Sequence, residues 1–467
     1  MPEAGVEPGS FRDRSARVFI QDDEVFRGLN ERALEQWNTL SATAFFRRFV
    51  ADGGLVGTER LDPAGRTLPA FAAEWAAVLR HDRIPFVSYP YEWSFGMLRD
   101  AALLQLDLLL AALDEGMTLK DASAYNVQWR GAKPVFVDIG SFERRPPGEP
   151  WIGYRQFCQL FLYPLLLTAY RDIPFHPWLR GSLEGIDPES CLNALGLGGR
   201  LRRGVLSHVY LQARAQAAYG GTRRDVKADL RAAGFDSALI KANATRLRKL
   251  IAGLTWKRGR STWSEYTKCG HYEAADAEAK RRFVGRAAAS GSRRLVWDLG
   301  CNTGTFSRIA AEHAGYVIAL DADHLAVERL YQALKAENDT RILPLVGNLA
   351  DPSPDLGWRN LERKRLASRG RPDLVLALAL IHHVVIGANV PIDEFVDWLA
   401  DLGGDIVIEF VTREDPMVGV LLRNKEDQYA DYQIDVFERC LRARCEILER
   451  EPLGSGTRVM YWARPRG

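Results

Sequence analysis

The chain of 467 residues is too long for one compact hydrophobic core, so two or three domains are expected. Hydrophobic residues make up 47% and charged residues 26%, as in an ordinary globular protein, and the net charge of +2 gives no overall attraction to nucleic acid or membranes. The longest apolar run, 157–170, is too short to span a bilayer, and residues 1–26 lack the apolar stretch of a signal peptide, so a cytoplasmic protein is predicted.

The first part of the chain is predicted to contain a polar lead-in, residues 1–39, followed by an α+β domain, residues 40–215. Within that domain, a helix over 94–115 carries leucine on most of its faces and is therefore expected to be buried. Further along, the apolar run 133–138 indicates a short strand.

Polar residues after this helix and strand resemble two loops of the protein kinases. Asp121 and Asn126 are spaced as in D-x-x-x-x-N, and Asp138 ends the strand as the aspartate of D-F-G does. The resemblance implies a kinase-like domain in which Asp121 is a catalytic base. It also implies that Asn126 and Asp138 hold Mg²⁺ and that Mg-ATP is a cofactor.

The N-terminal domain departs from the kinase pattern at the residues that grip the phosphates. No lysine occurs before Lys120, so Arg60 or another arginine is the candidate substitute. The segment 53–57, GGLVG, is a degraded glycine-rich loop. Three interpretations remain open: a chance match, a kinase-like fold that binds the substrate, and an active phosphotransferase.

Residues 216–261 form a basic region that is predicted to be a helical connector. Between Arg223 and Arg260 there are eleven Lys or Arg and three Asp, and apolar residues recur at helical spacing. Such a region is either a surface for an acidic substrate or nucleic acid, or the solvated face of a connector.

Strand and helix patterns alternate in residues 262–467 and predict a doubly wound α/β domain with a Rossmann-like parallel sheet. Helical stretches separate the first five apolar runs, whereas the last two follow one another as an antiparallel pair would. The seven predicted strands are 294–299, 316–320, 341–346, 373–381, 404–411, 444–449 and 457–463.

The most informative segment, DLGCNTGTF at residues 298–306, joins the first of these strands to a helix. Gly300 and Gly304 let the backbone approach a ligand where a side chain would collide. Neither G-x-x-x-x-G-K-[ST] nor G-x-G-x-x-G is complete, which argues against the two common phosphate-binding loops. The segment resembles the first motif of class I S-adenosylmethionine-dependent methyltransferases, which implies S-adenosylmethionine as the cofactor. The candidate contacts in this motif are Asp298, Gly300, Cys301, Asn302 and Gly304.

Acidic residues after the next two strands complete the predicted cofactor site. Asp321 ends the second strand, where a carboxylate accepts hydrogen bonds from ribose hydroxyls. The methyltransferase resemblance implies that Asp351 contacts the adenine amino group and that Leu349 lies against the ring. Tyr266, upstream of the first strand, is a candidate to close over the methionine end of the cofactor. Its alternative role is packing of an N-terminal helix on the sheet.

His382 and His383 directly follow the fourth strand, where class I enzymes place the reacting methyl group and the acceptor. One of them is a candidate general base, and the alternative is a helix cap or a wall of the pocket. Glu409, at the end of the fifth strand, is a candidate to orient a histidine or bind the acceptor, or else is structural. Methyl transfer from a sulfonium needs no metal, and none is predicted in this domain.

With the motif SYPYEWSF at 88–95, these features make the chain from about 85 to 465 similar to the nodulation-associated, NoeA-like bacterial methyltransferases. The predicted function is O- or N-methylation of a small molecule or saccharide, with nucleic acid also open as a partner. The alternatives are a bifunctional kinase–methyltransferase and a non-catalytic S-adenosylmethionine-binding protein. Nothing in the sequence predicts an oligomeric state.

Overall fold

The computed structural model describes residues 5–62, 69–214, 236–259, 274–423, 425–426 and 428–466. The chain folds into two compact units. Unit 1 comprises Met1–Trp129, Lys133–Arg258 and Leu356–Arg363, and unit 2 comprises Arg130–Ala132, Gly259–Asp355 and Lys364–Gly467. A short segment from the C-terminal half of the sequence therefore folds with unit 1.

Unit 1 contains a five-stranded antiparallel sheet. Its strands are β1 (Gly5–Val6), β2 (Ala16–Gln21), β3 (Glu24–Leu29), β4 (Thr58–Arg60) and β5 (Ala77–His81). They lie in the order β1-β2-β3-β5-β4. Phe19 of β2 stands opposite Phe26 of β3, and both pack with Val78 of β5 in one apolar cluster. Alternate residues of each strand therefore supply this face.

The helices of unit 1 include one long buried helix, as the leucine pattern predicts. They are α1 (Glu31–Ser41), α2 (Ala44–Ala51), α3 (Phe95–Asp114), α4 (Tyr154–Phe157), α5 (Tyr163–Arg171), α6 (His176–Gly181), α7 (Pro188–Gly199) and α8 (Ser237–Ala252). The Ser94 hydroxyl accepts a hydrogen bond from the Met97 N–H and caps α3. Leu106 and Leu109 of this helix are fully buried. The prediction of a buried helix over 94–115 is confirmed.

Helix α8 is the helical part of the predicted basic connector that the structure describes. It buries Leu247 and Ile251, and its Arg248 donates a hydrogen bond to Asp107 of α3. The arginine thus pairs with an acid of unit 1, while residues 216–235 and 260–261 of the predicted connector lie outside the described residues.

Two small strand pairs bring the kinase-like segments of unit 1 together. They are formed by β6 (Met117–Leu119) with β9 (Phe142–Arg144), and by β7 (Val127–Arg130) with β8 (Lys133–Phe136). Lys120 N–H donates to the Ser141 carbonyl at 2.9 Å, and Val137 N–H donates to the Asn126 carbonyl at 2.8 Å. These backbone bonds fix the two loops side by side.

Unit 2 contains a seven-stranded sheet. Its strands are β10 (Arg293–Leu299), β11 (Ala314–Asp321), β12 (Ile342–Val346), β13 (Leu374–Ala377), β14 (Asp405–Val411), β15 (Cys445–Pro452) and β16 (Arg458–Pro465). The order is β12-β11-β10-β13-β14-β16-β15. The first five strands are mutually parallel, and β16 runs antiparallel to both β14 and β15. The predicted doubly wound sheet with a terminal antiparallel pair is confirmed.

The helices of unit 2 connect these strands. They are α9 (Ala274–Ala289), α10 (Thr305–Ala311), α11 (His324–Ala336), α12 (Ile392–Asp401), α13 (Pro416–Leu422) and α14 (Ile434–Arg444). The connections run outward from β10 in one direction and from β13 in the other, so the strand order reverses between β10 and β13. Ligands of such sheets bind outside the carboxyl ends of the strands at this reversal.

Strand β13 is shorter than the sequence predicts. The apolar run 373–381 suggested one continuous strand, but pairing stops at Ala377, and Ala379 has φ of 49°. An L-residue in this left-handed region turns the chain out of the sheet, and a helical stretch with a π-turn at His383–Gly387 follows. The turn places the two histidines on a helix beyond the strand end.

Within the described part of the chain, no helix is both long and apolar enough to cross a membrane.

Candidate functional site

The DLGCNTGTF turn follows β10 and is built on left-handed residues. Gly300 and Gly304 have φ of 75° and 83°, and Asn302 has φ of 49°. A Cβ on Gly304 would lie 2.5 Å from Leu330 Cδ1, so only glycine fits there. The Gly300 N–H donates to the Leu320 carbonyl at 2.8 Å, which ties the turn to the end of β11.

Asp321, at the end of β11, is held by two backbone donors. Its Oδ2 accepts the Asn302 N–H at 2.7 Å and its Oδ1 accepts the Asp323 N–H at 2.8 Å. Each carboxylate oxygen has a second acceptor position, so the side chain can also accept two ligand hydroxyls. Burial raises the pKa of Asp321, and these backbone donors act in the opposite direction.

Asp298, the first residue of the motif, lies under the turn. Only 2% of the residue is exposed, and its Oδ2 accepts the Ser307 hydroxyl at 2.5 Å. Burial, with a smaller effect of the Asp321 charge, raises the pKa of Asp298 to about 7. The neighbouring Cys301 is also buried, and burial holds the pKa of its thiol well above the usual value. Burial therefore favours the neutral forms of both Asp298 and Cys301.

The turn after β12 adjoins the same region. Gly347 N–H donates to the Asp321 carbonyl at 2.9 Å, and a Cβ on Gly347 would lie 2.7 Å from Leu320 Cδ1. In this turn Leu349 is half-buried and Asp351 is exposed. The structure thus joins the glycine turn, Asp321 and the 347–351 turn by hydrogen bonds, whereas the predicted Tyr266 lies outside the described residues.

His382 and His383 lie in ring contact beyond β13, with ring centroids 4.1 Å apart and ring planes tilted by 38°. His382 is fully buried, and neither of its ring nitrogens has a hydrogen-bond partner among the described residues. Burial and the neighbouring His383, Arg458 and Lys280 hold the pKa of His382 well below its usual value. Burial and Arg458 likewise lower the pKa of His383 to about 4. Both imidazoles are therefore neutral at physiological pH.

Glu409 is fully buried and belongs to an ionic network that the sequence analysis missed. Its Oε1 lies 2.6 Å from Lys280 Nζ and 3.1 Å from Arg458 Nη1. Arg458 Nε in turn donates to Asp415 at 2.7 Å. Burial is the main cause of a lowered pKa at Lys280, and the Glu409 charge opposes it. Charged side chains at inward positions of α9 and β16 were the available signal for these partners.

Unit 1 has a polar cavity of about 380 Å³ that contains the kinase-like residues Asp121, Asn126 and Asp138. Asp121 accepts the Ser123 N–H at 2.9 Å, and burial together with the Asp138 charge raises its pKa. Three arginines that the sequence analysis did not single out also line the cavity. They are Arg12, Arg27 and Arg363.

The Asp138 carboxylate in this cavity is already bound by protein donors. Asp138 Oδ1 accepts from Arg27 at 2.7 Å and Oδ2 accepts the Ser141 hydroxyl at 2.6 Å, while Asn126 also donates to Ser141. Burial raises the pKa of Asp138, but Arg27 and Ser141 outweigh it, so the net pKa is low. No group of three or more metal-binding side chains occurs among the described residues. The predicted Mg-ATP site has no support in this geometry.

The strand order of unit 2, β12-β11-β10-β13-β14-β16-β15, defines the class: it is that of the class I S-adenosylmethionine-dependent methyltransferases. The nodulation protein NoeA of Rhizobium meliloti (strain 1021) is 35% identical over 462 residues, which cover 98% of this chain and 96% of that protein. The chain belongs to the NoeA family. No protein-family model matches it.

Solved structures with some similarity to the chain include NodS and WbdD. The N-methyltransferase NodS from Bradyrhizobium japonicum WM9, solved with S-adenosyl-L-homocysteine, is 12% identical, with a TM-score of 0.30 over 41% of this chain and 88% of that one. WbdD, solved with the kinase inhibitor LY294002, is 19% identical, with a TM-score of 0.30 over 44% of this chain and 43% of that one.

Proposed function

We propose that the chain transfers the methyl group of S-adenosylmethionine to a protic oxygen or nitrogen of its acceptor. The observation that carries this proposal is the Asp321 carboxylate. It is bound by the Asn302 N–H of the glycine turn and retains one acceptor position on each oxygen. Two adjacent acceptor positions match the two hydroxyls of a ribose.

The surrounding residues suit the rest of the cofactor. The glycine turn brings backbone close to the ligand without a side chain in the way. Leu349 offers apolar surface to an adenine ring, and the exposed Asp351 carboxylate can accept the adenine amino group. Burial favours the neutral thiol of Cys301 and raises the pKa of Asp298 to about 7, so the negative charge at this end of the proposed site is reduced.

When bound, S-adenosylmethionine supplies a methyl group that is already activated on a sulfonium, so the protein mainly has to align the acceptor. His382 then acts as the proton acceptor, since its buried imidazole is neutral and has unpartnered nitrogens. Its low basicity suits an acceptor proton that becomes acidic only as the new bond forms. Burial of His382 and Glu409 keeps bulk water from competing as the acceptor.

Unit 1 is proposed as a separate binding domain, with the cavity beside Asp121 as the site for a small molecule or saccharide. The carboxylates of Asp13, Asp121 and Glu184 line this cavity and can accept hydrogen bonds from hydroxyl groups. We do not propose phosphotransfer, because both oxygens of Asp138 are already bound by Arg27 and Ser141.

Hydrogen–deuterium exchange of the full chain tests the proposed function. Addition of S-adenosylmethionine should slow exchange of the backbone amides in 298–306, 319–323 and 347–351. Protection confined to other segments, or no protection at saturating ligand, would overturn the proposal.

A further inference from the structure

The buried carboxylate of Glu409 is held by only one of its two oxygens. Lys280 and Arg458 both donate to Oε1, at 2.6 and 3.1 Å, and each of the three residues is at most 6% exposed. Oε2 is buried without a partner among the described residues. Buried carboxylate oxygens normally accept hydrogen bonds, so this oxygen is available to a ligand.

A second unpartnered polar group lies in the same part of unit 2. Both ring nitrogens of His382 are buried and have no partner among the described residues. Lys280 and Arg458, which hold Glu409, are close enough to disfavour a positive charge on His382. The unpaired oxygen and the unpaired imidazole therefore share one electrostatic environment.

The sheet register places Glu409 just past the end of β13. Ala377 of β13 pairs with Ile408 of β14, so Glu409 lies one residue beyond the last pair of these two strands, while β14 itself continues to Val411. His382 follows β13 after the turn at Ala379. Acceptor substrates of parallel sheets bind at this edge.

The buried charges around Glu409 disfavour an anionic acceptor. Lys280 and Arg458 face three buried acids, since Asp415 pairs with Arg458 and Asp276 lies near enough to favour the charge on Lys280. Among the described residues the cluster thus has no positive charge left for a carboxylate or phosphate, and burying an uncompensated anion is costly.

We propose that Glu409 Oε2 and the His382 imidazole form the binding pair for the methyl acceptor, and that this acceptor is an uncharged or cationic X–H donor, a hydroxyl or an amine. Lys280 and Arg458 are positioning residues that aim the free oxygen. This inference rests on the proposed methyltransferase function. In the transfer, the methyl–sulfur bond breaks and the methyl–oxygen or methyl–nitrogen bond forms. The acceptor proton passes to His382, and S-adenosylhomocysteine leaves.

The test uses the full chain with ¹⁵N-labelled histidine and saturating S-adenosylhomocysteine, whose binding is measured separately by calorimetry. The His382 ring signals are assigned with His382→Gln and followed by NMR while glycerol, ethylamine or acetate is added. Glycerol, ethylamine or both should shift these signals, and acetate should not. A shift with acetate, or none with either donor, overturns the inference. Failure of S-adenosylhomocysteine to bind would instead count against the proposed function.

Matched variants then test the roles of the network. Glu409→Gln should weaken the response to the donor probe at least tenfold while changing the affinity for S-adenosylhomocysteine less than twofold, and the exposed Glu312→Gln should change neither. Lys280→Met should weaken the same response, and Lys280→Arg should retain it. An unchanged probe response in folded Glu409→Gln contradicts the assignment. If that variant does not fold, the titration of the unmodified chain still decides.

Discussion

Asp321 accepts the backbone N–H of Asn302 at 2.7 Å, so the acid that ends β11 and the glycine turn that follows β10 form one hydrogen-bonded element. Each part fixes the other: the carboxylate holds the left-handed Asn302 in place, and the Asn302 N–H fixes the orientation of the carboxylate. A change in either part is therefore expected to affect both stability and cofactor binding.

Gly304→Ala should destabilise unit 2. The new Cβ would lie 2.5 Å from Leu330 Cδ1 at a residue with φ of 83°, so overpacking and backbone strain act together. We expect a loss of about 2–4 kcal/mol in the free energy of unfolding, measured by urea denaturation. The control is Gly419→Ala in helix α13, where a Cβ meets nothing within 4 Å. That variant should be neutral or up to about 1 kcal/mol more stable. Equal effects of the two substitutions would show that the turn is not constrained.

The free energy of unfolding of Asp298→Asn, relative to that of the unmodified chain, should increase as pH rises. The pKa of Asp298 is about 7 in the folded chain and about 4 when unfolded, so the folded state binds the extra proton between these values. Its contribution to stability is present below pH 4 and is lost as pH rises toward 7, by up to about 1.4 kcal/mol per pH unit. Asparagine stays neutral and avoids this loss. Urea denaturation of both chains at pH 5.0 and 7.5 measures this effect. A stability difference that does not change with pH would contradict a raised pKa at Asp298.

His383 should titrate near pH 4, below the value of about 6.5 for a free histidine. Its folded-state pKa is lowered, so the stability it contributes is present above pH 6.5 and is lost as pH falls toward 4. NMR of ¹⁵N-labelled histidine from pH 3.5 to 8 measures this directly. A titration midpoint at or above pH 6.5 would mean that His382 and His383 are hydrated and have the pKa of a free histidine.

Arg27→Gln should destabilise unit 1 because it leaves the Asp138 carboxylate without its cation. The arginine side chain is 12% exposed, and removal of one partner from such a pair costs about 3 kcal/mol. The double variant Arg27→Gln/Asp138→Asn should recover most of the loss, as read by urea denaturation. Arg80→Gln, in the same sheet but more exposed, should cost clearly less than Arg27→Gln. A cost for Arg27→Gln no larger than that of Arg80→Gln would indicate a hydrated cavity.

Local sequence patterns were sufficient for the sheet of unit 2 and for its glycine turn. Strand and helix signals have short periods, and a turn with left-handed residues requires glycine at particular places, so 298–306 and the strand before it could be read directly. The end of β13 could not be predicted from the sequence. The apolar run continues to Ile381, and only the left-handed Ala379, whose strain the rest of the fold maintains, breaks the strand.

Pairings between distant residues were beyond the sequence analysis. Lys280 and Glu409 are 129 positions apart and Arg27 and Asp138 are 111 apart, and a single sequence carries no signal of which charges meet. The same limit applies to Leu356–Arg363, which folds with unit 1. There the Arg12 guanidinium donates two hydrogen bonds to the Glu362 carboxylate. Position in the sequence between β12 and β13 gave no indication of this placement.

Calorimetric titration with S-adenosylmethionine tests the central claim most directly, using the unmodified chain, Asp321→Ala and the exposed control Asp401→Ala. The unmodified chain and the control should bind one equivalent with affinities within twofold of each other. Asp321→Ala removes two charge-assisted hydrogen bonds to ribose and should lose about 2–4 kcal/mol, equivalent to about 30- to 1,000-fold in Kd. Binding by folded Asp321→Ala that equals the unmodified chain, or no binding by the unmodified chain, would contradict the account.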